Sequence, residues 1–491
     1  MIHDKIDAVF RKDHRKQFVK EKETMRLYDI LKQTSENGRV PYHMPGHKRN
    51  PAFDYLGGTA AIDFTEIDGL DNLHSPEGIL RDTMDLAKEL YGAKESFLLV
   101  NGSTCGILAA VYSACRGGKP MIAVRNAHKS VYNAALICTS PVHYLMPRLS
   151  EDGLVLDITP AEVQRAIEAC PDAAAVLITS PTYDGVISDI AGIAEVCHAH
   201  GIPLIVDAAH GAHLGFLDEH IASPVECGAD LVIMSLHKTL PSLTQTGLLH
   251  VAGELVDPET VMQALTIFET SSPSYLFMAS IDGCLHEMKH PELFADWRKR
   301  LSRLYTEAHV WRRGGVHLRH PWQRPEEVFA FDESKLILSC DGYEGAELAE
   351  ILRKQFGIEP EMTTQGYVLL MTGAGDTDEM TDRLCEAIRH LGKHPRPAVS
   401  RKFSASPYGV VPESAMLLSD ALTAEAESVP LENACGRISA EFVMPYPPGI
   451  PLIAPGERIT EERIASVMEG INVVTSRGAF DGTIHVVKRK K

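Results

Sequence analysis

Two residues that follow buried, strand-like runs could form the centre of a catalytic site. Asp207 ends the apolar run IPLIVD, and Lys238 follows the apolar run DLVIMS. A carboxylate buried at a strand end is unfavourable unless a cation pairs with it. A lysine whose amine is kept available by burial and neighbouring charge can form a Schiff base. The two residues are 31 positions apart, about one strand–helix–strand unit, so both could face one crevice.

Other interpretations of these residues stay open at this point. Asp207 could cap the helix that follows it, or it could bind a metal ion together with His210 and His213. Lys238 could be a solvent-exposed loop lysine, which is the default for any single lysine.

The chain contains three His-Lys pairs, and their contexts differ. His47-Lys48 lies in a loop rich in proline and glycine, whereas His128-Lys129 follows the run MIAVRNA and opens a predicted helix. Only His237-Lys238 follows both a long buried run and a strand-end acid. Position alone therefore favours Lys238 as the Schiff-base lysine. His128 could lie flat over a planar cofactor, or it could be an ordinary hydrogen-bonded loop histidine.

A further strand-like run, SFLLV, leads into Asn101-Gly102-Ser103-Thr104 and then into a helical pattern. Free backbone amides and hydroxyls at a helix N-terminus can hold a phosphate. A helix cap without a ligand is the alternative, since serine and threonine often cap helices. An acid, a lysine and a phosphate loop together favour a pyridoxal-phosphate (PLP) site. Asp207 would keep the pyridine nitrogen protonated, which makes the ring an electron sink.

These residues can meet only if the strands that carry them lie side by side. Between the apolar runs, stretches such as AEVQRAIEAC and IAEVCHAH have the spacing of amphipathic helices. This alternation predicts an α/β fold with a mainly parallel sheet covered by helices, in which ligands bind at the carboxyl ends of the strands. The predicted strands are 96–100, 121–124, 174–179, 202–207 and 230–235.

Changes of pattern divide the chain into four parts. Residues 1–40 are predicted to form a polar helical arm, and a helix capped by Ser75, with Pro76 at its first position, is predicted to end before Gly92. A second α/β pattern follows, and a proline-bearing stretch after it marks a boundary. We predict an N-terminal segment at 1–70, a large domain at 71–310, a small α/β domain at 311–395 and a C-terminal α+β domain at 396–491.

Composition excludes several classes of function. The 48 basic and 66 acidic residues give a net charge of −18, the wrong sign for a protein that neutralises nucleic-acid phosphates. The ten cysteines include no Cys-x-x-Cys pair, which argues against a disulfide framework or a zinc site. The N-terminus lacks the apolar core of a secretory signal, and no apolar run is long enough to span a bilayer. We therefore expect a cytoplasmic protein without a metal site.

Taken together, these segments resemble the Orn/Lys/Arg decarboxylase family of fold-type-I PLP enzymes. They occur in the family's order over nearly the whole chain. The resemblance implies an aspartate aminotransferase-like large domain, PLP as the cofactor and decarboxylation of a basic L-amino acid. The segments are PYHMPGHK (41–48), GLDNLHSPEGIL (69–80), NGST (101–104), RNAHKS (125–130), DAAHGAH (207–213), SLHKTL (235–240) and PYPPGIPLIAPGE (445–457).

The resemblance also implies roles for individual residues. Lys238 would carry the Schiff base, Asp207 would pair with the pyridine nitrogen, and His128 would stack on the ring. His210 would lie near the cofactor hydroxyl or the substrate carboxylate. Either Lys238 or His237 would return a proton to the substrate carbon. Further cofactor contacts would come from Gly102, Ser103, Thr104, Ala209, Ser235 and His237.

Two more implications concern the subunit and the substrate. Ser271, in the segment Thr270-Ser271-Ser272-Pro273, matches a residue that reaches the phosphate of a neighbouring subunit, which implies a homodimer or higher homo-oligomer with shared sites. Because PYHMPGHK begins at residue 41, we expect no separate N-terminal domain of the kind that long family members carry. The short form resembles biosynthetic bacterial arginine decarboxylases, so we expect arginine as the substrate, with lysine second and ornithine third.

The distal cation of a basic substrate requires an acid. Glu457 is the first candidate, and an exposed glutamate that opens the next helix is the alternative interpretation. Asp63, Glu66 and Asp184 are weaker candidates. Two other functions remain possible on this fold: an aminotransferase, which would need an arginine for the substrate carboxylate, and a PLP-binding regulator without turnover.

Overall fold

The computed structural model describes residues 26–150, 154–319, 328–398, 410–470 and 472–489. Most of the predicted arm therefore lies outside the described residues. The chain divides into two compact units, one ending at Phe64 and one beginning at Thr65. Among the described residues, no helix combines the length and the apolar character needed to cross a membrane.

In the first unit, the described residues form helix α1 and two short 3-10 turns. His47 Nε2 lies 3.1 Å from an oxygen of Asp63, and the Arg49 guanidinium lies 4.9 Å from the centre of the Phe64 ring. Asp63, a weaker candidate for the substrate cation, thus already has a partner within its own unit. The elements are α1 (Leu27–Glu36) and the turns Pro51–Phe53 and Thr59–Ala61.

The second unit contains the remaining helices and all the described strands. The helices are α2 (Ile79–Tyr91), α3 (Gly102–Cys115), α4 (Lys129–Cys138), α5 (Pro160–Ala169), α6 (Ile190–Ala199), α7 (Leu236–Thr239), α8 (Pro258–Phe268), α9 (Tyr275–Met288), α10 (Pro291–Val310), α11 (Gly345–Phe356), α12 (Asp378–Lys393), α13 (Leu418–Thr423) and α14 (Glu461–Glu469). The strands are β1 (Glu95–Leu99), β2 (Met121–Val124), β3 (Val142–Leu145), β4 (Val176–Thr179), β5 (Val186–Ile187), β6 (Leu204–Asp207), β7 (Leu231–Ser235), β8 (Gly247–Val251), β9 (Val316–Leu318), β10 (Ala330–Phe331), β11 (Lys335–Cys340), β12 (Met362–Thr363), β13 (Val368–Met371), β14 (Ala426–Pro430), β15 (Val443–Pro445), β16 (Val473–Thr475), β17 (Gly478–Ala479) and β18 (Thr483–Val487).

A seven-stranded sheet in the order β1-β8-β7-β6-β4-β2-β3 forms the centre of the second unit. Strands β7, β6, β4, β2 and β3 pair in parallel, whereas β8 runs antiparallel to both of its neighbours. This confirms the predicted α/β fold with a mainly parallel sheet. Five of these strands match the predicted apolar runs, and β3 and β8 were not predicted.

Helix α3 packs directly on this sheet at a glycine. A Cβ on Gly106 would lie 2.6 Å from Leu99 Cδ1 and 3.0 Å from Ile233 Cγ2. A larger side chain would push the helix away from the sheet, since the atoms beneath it belong to buried strands. Gly106 therefore sets the height of the α3 N-terminus above the strand ends.

The start of α2 differs from its prediction. The helix begins at Ile79, so Ser75 is not its cap and Pro76 precedes its first turn. The Asp71 carboxylate takes the capping role instead, because it accepts the backbone N–H groups of Glu77, Gly78 and Leu80 at 2.8–3.0 Å. The predicted end is confirmed, since Gly92 terminates the helix with a φ of 72°.

Smaller sheets follow the central one. The order β12-β13-β11-β9 forms a four-stranded antiparallel sheet with α11 and α12, as the second α/β pattern predicts. Strand β10 leaves this region to pair with β5 beside the central sheet. The later strands form a two-stranded and a three-stranded antiparallel sheet. The predicted domain limits at 70, 310 and 395 stay predictions.

Candidate active site

Lys238 lies in the short helix α7, which follows β7 without a loop. Its Nζ is 3.0 Å from Nε2 of His210. Burial lowers the pKa of Lys238, Asp207 opposes this shift, and Lys335 adds to it. A less basic amine has an accessible lone pair, so it can act as a nucleophile or carry a proton.

Asp207 ends β6, which lies beside β7 in the sheet. Its side chain is buried and accepts the backbone N–H of Ala209 at 3.1 Å. Burial raises the pKa of Asp207, whereas Lys238 and this hydrogen bond lower it. The parallel strands thus place the acid and the lysine near each other at the carboxyl edge of the sheet, where ligands bind in such folds.

His210 lies between Lys238 and an aromatic ring. Its ring centre is 4.6 Å from that of Tyr183, with an angle of 58° between the planes. Burial first and then Lys238 hold the pKa of His210 well below its usual value, so the ring is neutral. Its Nδ1 is buried, and the described residues provide no hydrogen-bond partner for it. A buried nitrogen of this kind favours a bound ligand beside it.

His128 caps α4 and presents a neutral imidazole to the site. Its Nδ1 accepts the backbone N–H of Ser130 at 3.2 Å, so the ring proton resides on Nε2. Burial, Lys238 and Lys129 lower the pKa of His128 to about 4. A Cβ on Gly449 would lie only 3.3 Å from this ring, so the glycine allows the PYPPGIPLIAPGE segment to approach it closely.

The α3 N-terminus and the end of β7 form a hydroxyl pair. Ser103 Oγ lies 2.5 Å from Ser235 Oγ, and Thr104 is exposed beside it. Gly102 adopts a φ of 73° and donates its N–H to the Gln245 carbonyl at 2.8 Å. That amide is therefore engaged within the chain, while the hydroxyls and the following amides remain in position for an anion.

The segment that contains Ser271 lies against the same helix start. Thr270 donates its N–H to Asn101 Oδ1 at 3.1 Å, and its carbonyl lies 2.9 Å from His74 Nε2. Ser271 itself is exposed. Its predicted contact with a neighbouring subunit stays a prediction.

His237 and His213, two further histidines of the motifs, have separate partners. His237 Nδ1 lies 2.8 Å from the Thr246 carbonyl, and burial lowers its pKa. His213 is fully buried, with Nδ1 3.1 Å from Thr239 Oγ1 and Nε2 3.0 Å from Asp332 Oδ1. His213 is therefore occupied and does not form a ligand set with Asp207 and His210. Within the described ranges, no group of three or more potential metal ligands occurs.

The structure contains a buried ion pair next to His210 that the sequence analysis did not predict. Lys335 is fully buried and donates from Nζ to Asp332 at 2.8 Å, to Ser334 at 3.1 Å and to the His210 carbonyl at 3.4 Å. Burial alone would raise the pKa of Asp332, but His213 and Lys335 together lower it. In the sequence, this ion pair is indicated only by a lysine at the start of the apolar strand β11, and that signal is not specific.

Glu457 is buried at 3% exposure and forms an ion pair. Its Oε2 accepts from Arg125 Nη2 at 2.9 Å and from the Ala454 N–H at 3.0 Å. Arg125 is fully buried and lies three residues before His128. The alternative interpretation of Glu457 as an exposed glutamate is wrong. Its predicted contact with the substrate stays a prediction: Oε2 pairs with Arg125, whereas Oε1 is buried and has no hydrogen-bond partner among the described residues.

Asp184 and Glu66 are the two remaining candidates for the substrate cation. Asp184 is buried and accepts the Tyr367 hydroxyl at 2.8 Å, and burial raises its pKa to about 6. It therefore offers less negative charge at neutral pH than an exposed acid. Glu66 is partly exposed, and its role stays a prediction.

Comparison with known proteins agrees with this geometry. The family model described as Orn/Lys/Arg decarboxylase, major domain, matches residues 25–311, and the model of the C-terminal domain of that family matches residues 400–476. This chain belongs to the Orn/Lys/Arg decarboxylase family. The family resemblance and the decarboxylase function that it implies are thereby confirmed.

Curated relatives and solved structures cover nearly the whole chain. The arginine decarboxylase of Bacillus subtilis is 33% identical over 94% of this chain and 97% of that protein. The arginine decarboxylase of Bacillus anthracis is 31% identical over 94% and 96%. The lysine decarboxylase structure from Francisella novicida superposes with a TM-score of 0.78 at 18% identity, over 94% of this chain and 81% of that one. The structural likeness confirms the fold.

The donor set also fits the cofactor of this family. Asp207 is a buried acid with one hydrogen bond from the backbone, which suits a cationic ring nitrogen. Lys238 supplies an amine of lowered pKa, and the Ser103–Ser235 pair lies at a helix N-terminus suited to a phosphate. His210 Nδ1, for which the described part of the chain supplies no hydrogen-bond partner, leaves a polar position for the cofactor or the substrate.

Proposed function

We propose that this protein decarboxylates L-arginine to agmatine and CO₂ with PLP as its cofactor. The observation that carries the chemistry is the placement of an amine of lowered pKa, Lys238, and a buried acid, Asp207, after neighbouring parallel strands, where the charge of each acts on the pKa of the other. Arginine is supported by the curated Bacillus relatives, which are arginine decarboxylases and match nearly the full chain.

Lys238 would attach the cofactor covalently, and Asp207 would hold its ring nitrogen. Neutral His128 would lie against the ring, with Ser103 and Ser235 at the phosphate. When bound, PLP supplies an electron sink for the electron pair that remains on the α-carbon after CO₂ leaves. Asp207 favours this chemistry because its negative charge stabilises a protonated ring nitrogen.

Lys238 and His210 would handle the proton. The two nitrogens lie 3.0 Å apart, and both groups have lowered pKa values. A neutral imidazole can donate to or accept from the amine, so His210 orients Lys238 towards the substrate carbon that needs a proton. His237 is held by the Thr246 carbonyl, which makes it a weaker candidate for this step.

We also propose that the site is shared within a homodimer. Asn101 and His74 hold Thr270 by its backbone at the phosphate end, and this leaves the exposed Ser271 available to a second subunit. Mixing two inactive variants, Lys238→Ala and Ser271→Asp, tests this sharing. Restored activity in the mixed dimers would support it, and inactivity of mixed dimers would contradict it.

Product analysis tests the proposed reaction directly. The purified protein with PLP is incubated separately with L-arginine, L-lysine and L-ornithine, and CO₂ and amine are quantified. Agmatine as the dominant product supports the proposal, whereas cadaverine or putrescine would retain the chemistry and change the substrate. A keto acid without CO₂ would indicate an aminotransferase. No reaction with any of the three would indicate a regulator.

Cofactor attachment has its own test that does not depend on turnover. After borohydride reduction, wild-type protein should retain PLP covalently, and Lys238→Ala should lose this retention. Lys129→Ala is the matched control, because it removes the lysine of the other strand-end His-Lys pair. Full retention in Lys238→Ala would show that another lysine carries the cofactor.

A further inference from the structure

The cation at the far end of a basic substrate needs an acid whose charge is not already compensated. The negative charge of a buried carboxylate that pairs with an arginine is largely neutralised by that partner, so the carboxylate attracts a second cation more weakly. Glu457 pairs with Arg125 through Oε2 in the interior, while its Oε1 is buried without a hydrogen-bond partner among the described residues. Asp184 is buried, and burial raises its pKa to about 6, so its charged form is disfavoured. An exposed acid near Lys238 that pairs with no cation meets this requirement more fully than either buried acid.

Glu361 has the required properties. It directly precedes β12, and its backbone N–H donates to the Leu369 carbonyl at 2.9 Å, which anchors it to the four-stranded sheet. Its side chain is exposed, and Oε1 accepts the hydroxyl proton of Tyr183. Within the described part of the chain, no lysine, arginine or histidine forms an ion pair with it.

A continuous row of side chains connects Glu361 to the catalytic lysine. Tyr183 donates to Glu361 and packs its ring at 4.6 Å from the ring of His210, whose Nε2 lies 3.0 Å from Lys238 Nζ. The negative charge of Glu361 also acts on Lys238, since it opposes the lowering of the pKa of that amine by burial. The carboxylate and the amine therefore lie at the two ends of this row of side chains.

We propose that Glu361 binds the distal guanidinium group of the substrate and thereby sets the preference for a basic amino acid; this role rests on the proposed function. One carboxylate oxygen is oriented by Tyr183, and the other faces the incoming cation. The Tyr183 ring flanks the path of the substrate side chain, where an aromatic face attracts a guanidinium. A charge-assisted hydrogen bond orients the cation and binds it.

The test uses Glu361→Gln, which removes the charge and keeps the shape of the side chain. Glu359→Gln is the matched control, because Glu359 is an exposed acid two residues away that pairs with Arg353. KM and kcat are measured for L-arginine, together with the inhibition constant of L-citrulline, whose side chain has a similar shape without the charge.

We expect Glu361→Gln to raise KM for L-arginine by about 10- to 100-fold, as for loss of a hydrogen bond between charged groups, with kcat nearly unchanged. The inhibition constant of L-citrulline should stay within about twofold of wild type, the scatter expected of a surface substitution, and Glu359→Gln should change neither value.

Two results would overturn the role of Glu361 while leaving the proposed function intact. One is a KM for L-arginine within about twofold of wild type in Glu361→Gln, as a surface substitution would give. The other is equal weakening of arginine and citrulline, which would indicate a change of shape instead of charge. If the wild-type protein releases no CO₂ from arginine, lysine or ornithine, the proposed function fails, and this role fails with it.

Discussion

Replacing Arg125 with methionine should destabilise the protein strongly. Arg125 is fully buried and donates to the carbonyls of Pro451 and Leu452 and to the Glu457 carboxylate, so it connects the end of β2 to the C-terminal segment. Removing it leaves two carbonyls without this donor. It also leaves the buried Glu457 carboxylate, which keeps the Ala454 N–H as a donor, without its cationic partner.

The expected loss in the free energy of unfolding is about 3–5 kcal/mol, the usual effect of removing one partner from a buried ion pair. Arg458→Met is the matched control. Arg458 forms a two-point ion pair with Glu413 at 2.7 and 3.0 Å, but both side chains are exposed, so its removal should change that free energy far less than the removal of Arg125.

Urea-induced unfolding at neutral pH, followed by tryptophan fluorescence, measures both variants against wild type. A double variant, Arg125→Met with Glu457→Gln, should recover part of the loss, because it removes the uncompensated charge. The reasoning would be refuted if Arg125→Met unfolded at the same urea concentration as Arg458→Met. It would also be refuted if the double variant were less stable than the sum of the two single losses.

Two further predictions concern packing and pH. Gly106→Ala should destabilise the protein by about 1–3 kcal/mol through overpacking against Leu99, and it should weaken PLP affinity in an absorbance titration by lifting the α3 N-terminus. Gly283→Ala is the control, because in helix α9 the new methyl group would have open space around it, and it should stabilise the protein by roughly 0.5–1 kcal/mol. Equal changes in stability from the two substitutions would contradict the packing argument. His250 is buried beside Ser96, and burial lowers its pKa to about 3, so the unfolded state takes up the proton first as pH falls. The contribution of His250 to the free energy of unfolding should therefore be fully present above the ordinary histidine pKa. Below it, that free energy should fall by about 1.4 kcal/mol per pH unit towards pH 3. His250→Asn should lack this part of the slope when unfolding is measured at several pH values.

The elements that sequence reasoning predicted are those with an uninterrupted pattern. Strands β2 and β7 are continuous apolar runs, because parallel strands covered on both faces bury every side chain. Strand β8 was missed, since His250 interrupts its apolar pattern; the imidazole is accommodated by the Ser96 hydroxyl of the neighbouring strand. Strand β3 was missed because it lies at the sheet edge, where its side chains are half exposed.

The order of residues along the chain was sufficient to bring Lys238 and Asp207 together. Each follows a buried strand, and the carboxyl ends of neighbouring parallel strands meet at one edge of a sheet. The family resemblance implied that Ser103 and Ser235 both contact the cofactor, and the structure places their hydroxyls 2.5 Å apart. The family motifs added the cofactor and the class of reaction.

Only the tertiary structure decided which acids carry an uncompensated charge. Glu457 is the first candidate for the substrate cation in the sequence. Arg125, more than 300 positions earlier in the chain, nevertheless pairs with it in the interior. Glu361 lies in no motif, and the fold places it against Tyr183 across a sequence separation of 178 residues. Charge compensation depends on distances between side chains remote in sequence, so neither residue type nor local spacing determines it.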